Sequence, residues 1–142
     1  MTTTRSREPS TSVTTRDKSI LLVEDNDDIR DTLEEILIQE GFRVATATNG
    51  LEALDVLAHD PLPCLILLDL RMPVMDGVSF RLHQMRDPRI RDVPVVVLTA
   101  ANEDRREAAL LGACGHLRKP IDLDVLLETA EEACRDASVV AH

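Results

Sequence analysis

The sequence is almost devoid of aromatic side chains, with two Phe and neither Trp nor Tyr among its 142 residues. Its core must therefore be aliphatic, and the chain lacks the aromatic platform on which single-stranded nucleic-acid binders stack bases. Positive charge is also scarce, because 16 Lys and Arg residues face 26 Asp and Glu residues, for a net charge of −10. This balance argues against direct binding of nucleic acid or of an anionic membrane surface.

Long apolar runs and closely spaced cysteines are missing as well. No run approaches the roughly 18 residues of a membrane-spanning helix, and the N-terminus has no apolar stretch typical of a signal peptide. Cys64, Cys114 and Cys134 are widely spaced, and we interpret them as small buried hydrophobes in a reducing compartment. These absences together predict a cytoplasmic protein.

The composition divides the chain into a tail and a single domain. Residues 1–17 consist mostly of Ser, Thr and Arg, and Val13 is the one apolar residue after Met1. Such a segment cannot bury enough apolar surface to fold, which predicts a disordered N-terminal tail. Residues 18–136 are long enough for one domain with one core, and residues 137–142 are interpreted as a short C-terminal tail.

Within the domain, short apolar runs alternate with segments of helical spacing. The predicted strands are residues 20–23, 43–47, 64–68, 93–98 and 113–117. The predicted helices carry their apolar faces at Ile29, Leu33, Ile36 and Leu37, at Leu51, Leu54 and Leu57, at Val78, Leu82 and Met85, near 103–111, and at Leu123, Leu126, Leu127, Ala130 and Cys134. Strands that are apolar on both faces need helices on both sides. The pattern therefore predicts a doubly wound, five-stranded parallel α/β sheet.

Polar side chains stand where four of these strands end. The first strand ends in Glu24 and Asp25, the third in Asp69, the fourth in Thr99 and the fifth in Lys119. Each could instead be a helix cap, a strand end or a solvated charge. In a doubly wound sheet, however, the carboxyl ends of the strands form the ligand site. Clustered carboxylates repel one another unless a cation neutralises them, and Mg²⁺ with oxygen ligands fits that role.

The chemistry that these groups support is phosphoryl transfer. A carboxylate can attack phosphorus to give an acyl phosphate, and a metal ion, an ammonium group and a hydroxyl can neutralise and position the transferring group. Asp69 is central among the five residues. We therefore predict that Asp69 is a phosphate acceptor.

Four segments in order carry a resemblance to a known family: ILLVEDN, LILLDLRMPVMDG, VPVVVLTA and GHLRKP. With them the domain resembles a response-regulator receiver domain of two-component signalling, of the stand-alone type. The resemblance implies a flavodoxin-like fold with strand order 2-1-3-4-5. It also implies that Asp69 is the phosphoacceptor, and that Lys119 pairs with a phosphoryl oxygen and precedes a cis bond to Pro120.

The resemblance further implies a Mg²⁺ site. Asp25 and Asp69 would bind the ion directly, Glu24 would hold it through water, and the backbone carbonyl of Arg71 would be a further ligand. Thr99 would contact the phosphoryl group and relay its presence.

One position departs from the commonest family pattern. The family usually carries a Tyr or Phe that swings inward on activation, and this chain has His116 there. His116 is accordingly a candidate switch residue, since an imidazole can rotate like an aromatic ring. Its alternative interpretation is a partly exposed strand residue.

The function implied is a phosphorylation-dependent switch. A histidine kinase or histidine phosphotransfer protein would donate the phosphoryl group, and a downstream protein would recognise the changed surface, for which a phosphorylation-dependent dimer is one form. The chain would catalyse only its own phosphorylation and dephosphorylation, so it is not expected to be an enzyme with a separate substrate.

Other functions are weighed against this one. A degenerate receiver that binds proteins constitutively would lack one or more of the five site residues, and none is missing; a fragment of a larger regulator is also open. A phosphatase of the haloacid dehalogenase type needs a second Asp two residues after the nucleophile, where this chain has Arg71. The Gly-rich motifs of nucleotide-binding domains are absent from the sequence.

Overall fold

The computed structural model describes residues 18–100, 109 and 111–140. Over these residues the five strands are β1 (Ser19–Val23), β2 (Arg43–Ala47), β3 (Leu65–Asp69), β4 (Val95–Thr99) and β5 (Gly115–Arg118). The helices are α1 (Asp27–Gln39), α2 (Gly50–Leu57), α3 (Gly77–Met85) and α4 (Leu123–Val140). The predicted tail of residues 1–17 and most of the helix predicted near 103–111 lie outside the described residues. Helix α4 continues beyond residue 136, where the sequence places the end of the domain.

All five strands are parallel, in the order β2-β1-β3-β4-β5. This confirms the predicted doubly wound sheet. Two apolar clusters cover its two faces: one is formed with Ala53 of α2 and Phe80 of α3, and the other with Leu33 of α1 and Leu126 of α4. The central strands β3 and β4 are buried along their whole length, as strands covered on both sides must be. Within the described residues, none of the helices combines the length and apolar character that crossing a membrane requires.

The predicted apolar face of α3 is wrong. Leu82 and Met85, expected in the core, are 47% and 48% exposed, whereas Phe80, Arg81 and Gln84 are buried. Helical spacing assumes that long polar side chains face water. In α3 two polar residues instead face inward, because backbone carbonyls of distant loops meet them there.

Arg81 and Gln84 form a buried hydrogen-bonded cluster with those loops. The Arg81 guanidinium donates to the carbonyls of Leu111 (2.8 Å) and Gly112 (3.2 Å) and to Gln84 Oε1 (2.7 Å). The Gln84 amide nitrogen donates to two carbonyls in the turn over residues 90–93, at 2.9 and 3.0 Å. This Arg81–Gln84 cluster joins α3 to the turns that precede β4 and β5, near the amino ends of these strands.

Two other expectations about burial need correction. Leu51 and Leu123 were expected on the apolar faces of α2 and α4 but are 49% and 42% exposed. The buried side chains of α2 are those of Ala53 and Leu57. Cys64 and Cys134 are buried as predicted, but Cys114 is exposed. Cys114 immediately precedes β5, the edge strand of the sheet, where one side of the chain has no neighbouring strand.

Candidate functional site

The turn between β1 and α1 carries the first two acidic residues. The Glu24 N–H donates to the Ala47 carbonyl at the end of β2 (3.0 Å), which holds the chain to the sheet at the residue after β1. Asn26 is then the N-cap of α1, and its side-chain oxygen accepts from the Ile29 N–H (2.9 Å). The chain therefore leaves the sheet and enters a helix within three residues. Glu24 and Asp25 lie in that short turn at the carboxyl end of the sheet.

Asp69 is the last residue of β3, one position beyond the buried strand predicted from the sequence, and it pairs with Leu98 of β4. Gly77 opens α3 directly against it: a Cβ on Gly77 would lie 2.6 Å from the Asp69 carbonyl oxygen and 2.8 Å from Leu70 Cα. Any larger residue would have to displace the backbone that holds Asp69. The start of α3 thus fixes the position of the candidate acceptor.

Three carboxylates and one ammonium group converge at this edge. One carboxylate oxygen from each of Glu24, Asp25 and Asp69 lies within 4.8 Å of the others. Lys119 Nζ lies 3.0 Å from Glu24 Oε1 and 3.5 Å from Asp69 Oδ2. Glu24 and Asp69 are buried, whereas Asp25 is exposed. The structure therefore brings together four of the residues that the sequence singled out; we call them the acidic cluster.

The electrostatics of the acidic cluster favour added positive charge. Burial and, after it, the charge of Glu24 raise the pKa of Asp69 to about 7 against the opposing charge of Lys119. Burial alone would lower the pKa of Lys119, but its contacts with Glu24 and Asp69 outweigh burial and the pKa is raised. One ammonium group does not offset three carboxylates. A second cation would relieve the remaining repulsion.

The donor set fits a hard divalent cation such as Mg²⁺. Glu24 Oε1 is buried, and the ammonium group of Lys119 lies 3.0 Å from it. The other oxygen of Glu24 accepts from the Asn26 N–H (3.1 Å). Carboxylate oxygens are the ligands that Mg²⁺ prefers, and it usually keeps several waters, for which the exposed side at Asp25 leaves room. The Arg71 N–H donates to Asp69 Oδ1 (3.3 Å), while the metal-ligand role of its carbonyl stays a prediction.

Thr99 ends β4, and Lys119 directly follows the adjacent strand β5. Thr99 is the buried last residue of β4, and its carbonyl accepts from the Lys119 N–H (2.7 Å), which ties the two residues together. Thr99 follows Leu98, the partner of Asp69 in the sheet. The bond between Lys119 and Pro120 is cis, as the family resemblance implies.

His116 lies apart from the acidic cluster. It is half-buried on β5, where it pairs with Val97, in the middle of β4. It borders a cavity of about 400 Å³ between the amino half of β5 and α4, lined also by Thr129 and Glu132. Its role as a switch residue stays a prediction.

Sequence reasoning missed one residue in contact with the site. Arg30 on α1 donates to the carbonyl oxygens of Glu24 (2.9 Å) and Asp25 (3.5 Å), and its second terminal nitrogen pairs with Asp27. An Arg in the polar part of a helix normally reads as a solvated charge. The Arg30 side chain meets these carbonyls only because the chain turns tightly after β1, and no sequence pattern predicts how tight that turn is.

Comparison with known proteins agrees with this geometry. The model of the response regulator receiver domain family matches residues 20–131. The chain is 38% identical over 119 residues to sporulation initiation phosphotransferase F of Bacillus subtilis, covering 81% of this chain and 92% of that protein. It is 33% identical over 122 residues to the polar-differentiation response regulator DivK of Brucella anthropi, covering 84% and 98%.

A solved structure extends the likeness to a metal-bound relative. The receiver domain of a sensor histidine kinase from Pseudomonas aeruginosa PAO1 superposes with a TM-score of 0.75 and 30% identity, covering 84% of this chain and 98% of that one. That receiver domain is described with a magnesium ion coordinated in its active-site cleft.

Proposed function

The chain belongs to the response regulator receiver domain family, and on that basis we propose that it is a phosphorylation-dependent signalling switch whose phosphoacceptor is Asp69. The observation that carries the proposal is the placement of Asp69. It is a buried carboxylate at the carboxyl end of β3, 3.5 Å from the ammonium group of Lys119, and it lies beside two further carboxylates.

The acceptor step follows from this geometry. An Asp69 carboxylate oxygen attacks the phosphorus of a phosphohistidine or a small acyl phosphate, the bond from phosphorus to the donor breaks, and an aspartyl phosphate forms. Lys119 lies where it can pair with a phosphoryl oxygen. With a pKa of about 7, Asp69 is partly protonated near neutral pH in the metal-free protein. Only the deprotonated fraction is a nucleophile, so bound cation should activate the acceptor as well as stabilise the product.

Mg²⁺ is the proposed cofactor. Asp25 and Asp69 would hold it directly, Glu24 through water, and the Arg71 carbonyl would complete the protein ligands. When bound, the ion would neutralise charge on the transferring phosphoryl oxygens. The uncompensated carboxylates described above support this assignment, as does the magnesium ion of the Pseudomonas receiver domain.

The signal would leave the site through Thr99, Lys119 and the surface around β5 and α4, which includes His116. A phosphoryl group that pairs with Thr99 and Lys119 favours one of two conformations of the domain. A histidine kinase or histidine phosphotransfer protein is the proposed donor, and a downstream protein or a second copy of the chain would bind the altered surface. In this account the domain acts on its own Asp69 and on no separate substrate.

Labelling with a small phosphodonor tests the proposal. Acetyl phosphate and Mg²⁺ should add the mass of one phosphoryl group to the full chain, because the metal and Lys119 can neutralise the group without a kinase. Asp69→Asn keeps the shape but removes the nucleophile, so it should fold and stay unlabelled. Asp55→Asn, an exposed carboxylate on α2, is the matched control and should label like the wild type.

Two outcomes would contradict the proposal. Labelling of Asp69→Asn at the wild-type rate would assign the phosphate to another residue. A folded wild type that acetyl phosphate and active histidine kinases all leave unlabelled would favour the constitutive protein-binding module instead.

A further inference from the structure

We propose that Arg30 is a positioning residue that holds Asp25 in place as a metal ligand. The proposal rests on the function proposed above, because it concerns the same Mg²⁺ site. Arg30 contacts neither Asp69 nor the transferring group in this account. It acts through the backbone on either side of Asp25.

The contacts of Arg30 bracket Asp25. Nη1 donates to the carbonyl of Glu24 at 2.9 Å and, more weakly, to the carbonyl of Asp25 at 3.5 Å. These oxygens belong to the peptide units before and after the Cα of Asp25. Because each peptide unit is planar, holding both oxygens restricts the dihedral angles at Asp25 and hence the direction of its side chain.

The Arg30 side chain is largely buried where it meets the turn. Its side chain is only 14% exposed, although it starts from the first two turns of a surface helix. The ion pair with Asp27 does not account for that burial, because the Asp27 side chain is 79% exposed and such pairs contribute little to stability. The hydrogen bonds to the carbonyls of Glu24 and Asp25 are therefore what hold the Arg30 side chain against the site.

Asp25 needs such support more than the other two carboxylates. Glu24 is buried and held by the Asn26 N–H and Lys119, and Asp69 is buried and held by the Arg71 N–H and Lys119. Asp25 is exposed, and repulsion from its two neighbours favours any rotation that takes its carboxylate toward water. A fixed backbone fixes the direction of the Asp25 Cα–Cβ bond, so that the carboxylate stays within reach of a cation in the matching side-chain rotamer.

The charge of Arg30 and its position predict opposite effects on metal binding. As a positive charge close to the acidic cluster, Arg30 would weaken binding of a divalent cation by repulsion. As a positioning residue, it strengthens binding by holding Asp25 where the cation needs it. The sign of the change in Mg²⁺ affinity when Arg30 is replaced therefore decides between the two roles.

Mg²⁺ titration by calorimetry on the full chain is the test. Arg30→Met keeps most of the side-chain length but has no donor, and we expect its dissociation constant for Mg²⁺ to rise by about threefold to tenfold. Arg30→Lys keeps the charge but not the planar fork, so its value should lie between those of Arg30→Met and the wild type. Arg91→Met, an exposed residue near the amino end of β4, matches the loss of charge and should bind like the wild type.

Labelling by acetyl phosphate gives a second measurement. In Arg30→Met the Mg²⁺ concentration for half-maximal rate should rise by the same factor, while the rate at saturating Mg²⁺ should return close to that of the wild type. A general loss of structure would also lower the rate at saturating Mg²⁺. Circular dichroism and a melting curve for each variant set a working temperature well below unfolding.

The outcomes separate the two proposals. Unchanged or tighter Mg²⁺ binding by folded Arg30→Met would overturn the positioning role and leave the proposed function standing. Arg30→Lys binding like the wild type while Arg30→Met binds more weakly would support positioning by a single donor rather than by the planar guanidinium, because loss of the positive charge alone would tighten binding. A wild type that neither binds Mg²⁺ nor accepts a phosphoryl group would instead remove the proposed function, and the role of Arg30 with it.

Discussion

The described part of the domain contains a polar cluster at each end of its strands. The two clusters differ in how well hydrogen bonds and opposite charges compensate their polar side chains. In the Arg81–Gln84 cluster the buried donors meet carbonyl and amide oxygens at 2.7 to 3.2 Å. In the acidic cluster, three carboxylates share the single ammonium group of Lys119, which lies 3.0 Å from the buried Glu24 Oε1, and the pKa of Asp69 is raised to about 7.

The difference shows which kind of buried polarity marks a functional site. Buried polar groups are normally hydrogen-bonded, and a cluster that meets this condition is explained by structure alone. A cluster whose charges are not balanced holds unfavourable energy that a ligand of opposite charge can release. By this criterion Arg81 and Gln84 fix the turns around α3, whereas Glu24, Asp25 and Asp69 form a cluster that an added cation would stabilise, as the proposed function requires.

The largest change in the free energy of unfolding is expected from removing Arg81 from the Arg81–Gln84 cluster. Arg81→Ala leaves the carbonyls of Leu111 and Gly112 and the side chain of Gln84 without their donors, and it also opens a void. We expect a loss of about 2–4 kcal/mol in the free energy of unfolding, measured by urea denaturation. Arg86→Ala, an exposed residue at the end of α3, should change it by less than about 0.5 kcal/mol. A loss below about 1 kcal/mol for Arg81→Ala would mean that the cluster is not the structural anchor described here.

The two regions also differ in how far the sequence predicts them. Runs of apolar residues predict the strands, and residues that follow a parallel strand must lie at its carboxyl end. The sequence therefore predicts that Glu24, Asp25, Asp69 and Lys119 lie close together. Arg81 finds its acceptors 30 and 31 residues along the chain, in turns whose path no local pattern encodes. The contacts of Arg30 could not be predicted for the same reason, because they depend on the path of the turn at Asp25.

In the acidic cluster, removing the charge of Asp69 is expected to raise the free energy of unfolding, by a smaller amount than the loss of Arg81 lowers it. Because the pKa of Asp69 is about 7 in the folded protein and 3.8 is its ordinary value, the folded state binds the proton more tightly. Stability is therefore lost as the pH rises from about 4 toward 7. Asp69→Asn cannot ionise, so in EDTA it should be more stable than the wild type by about 1–3 kcal/mol at pH 8.

The pH dependence is the critical part of that measurement. The gain should shrink as the pH falls toward 4 and vanish below it, where the wild-type carboxyl is protonated in both states. Denaturation curves at pH 5 and pH 8 provide the comparison. An equal gain at both values would point to packing of the amide rather than to relief of repulsion, and the contrast between the two clusters would lose its electrostatic basis.

The smallest expected effect concerns the loop that follows Asp69. Val74 has a φ of 69° and the Met75 N–H donates to the Pro73 carbonyl (2.7 Å), which is a γ-turn that costs a β-branched residue about 1–2 kcal/mol. The side chain is 78% exposed, so packing does not repay this strain. The turn is held from outside, because the Gly50 N–H donates to the Met75 carbonyl at 2.8 Å.

Val74→Gly should therefore stabilise the domain slightly. Relief of the strain is partly offset by the roughly 0.5–1 kcal/mol of chain entropy that Gly loses on folding, so a net gain of up to about 1 kcal/mol is expected from urea denaturation. Val125→Gly makes the same change in helix α4, where Val125 is also exposed, and should destabilise the protein because Gly is a poor helix former. Equal losses for both variants would show that the loop carries no strain. The acidic cluster would then differ from the Arg81–Gln84 cluster in its electrostatics alone, with a relaxed backbone beneath it.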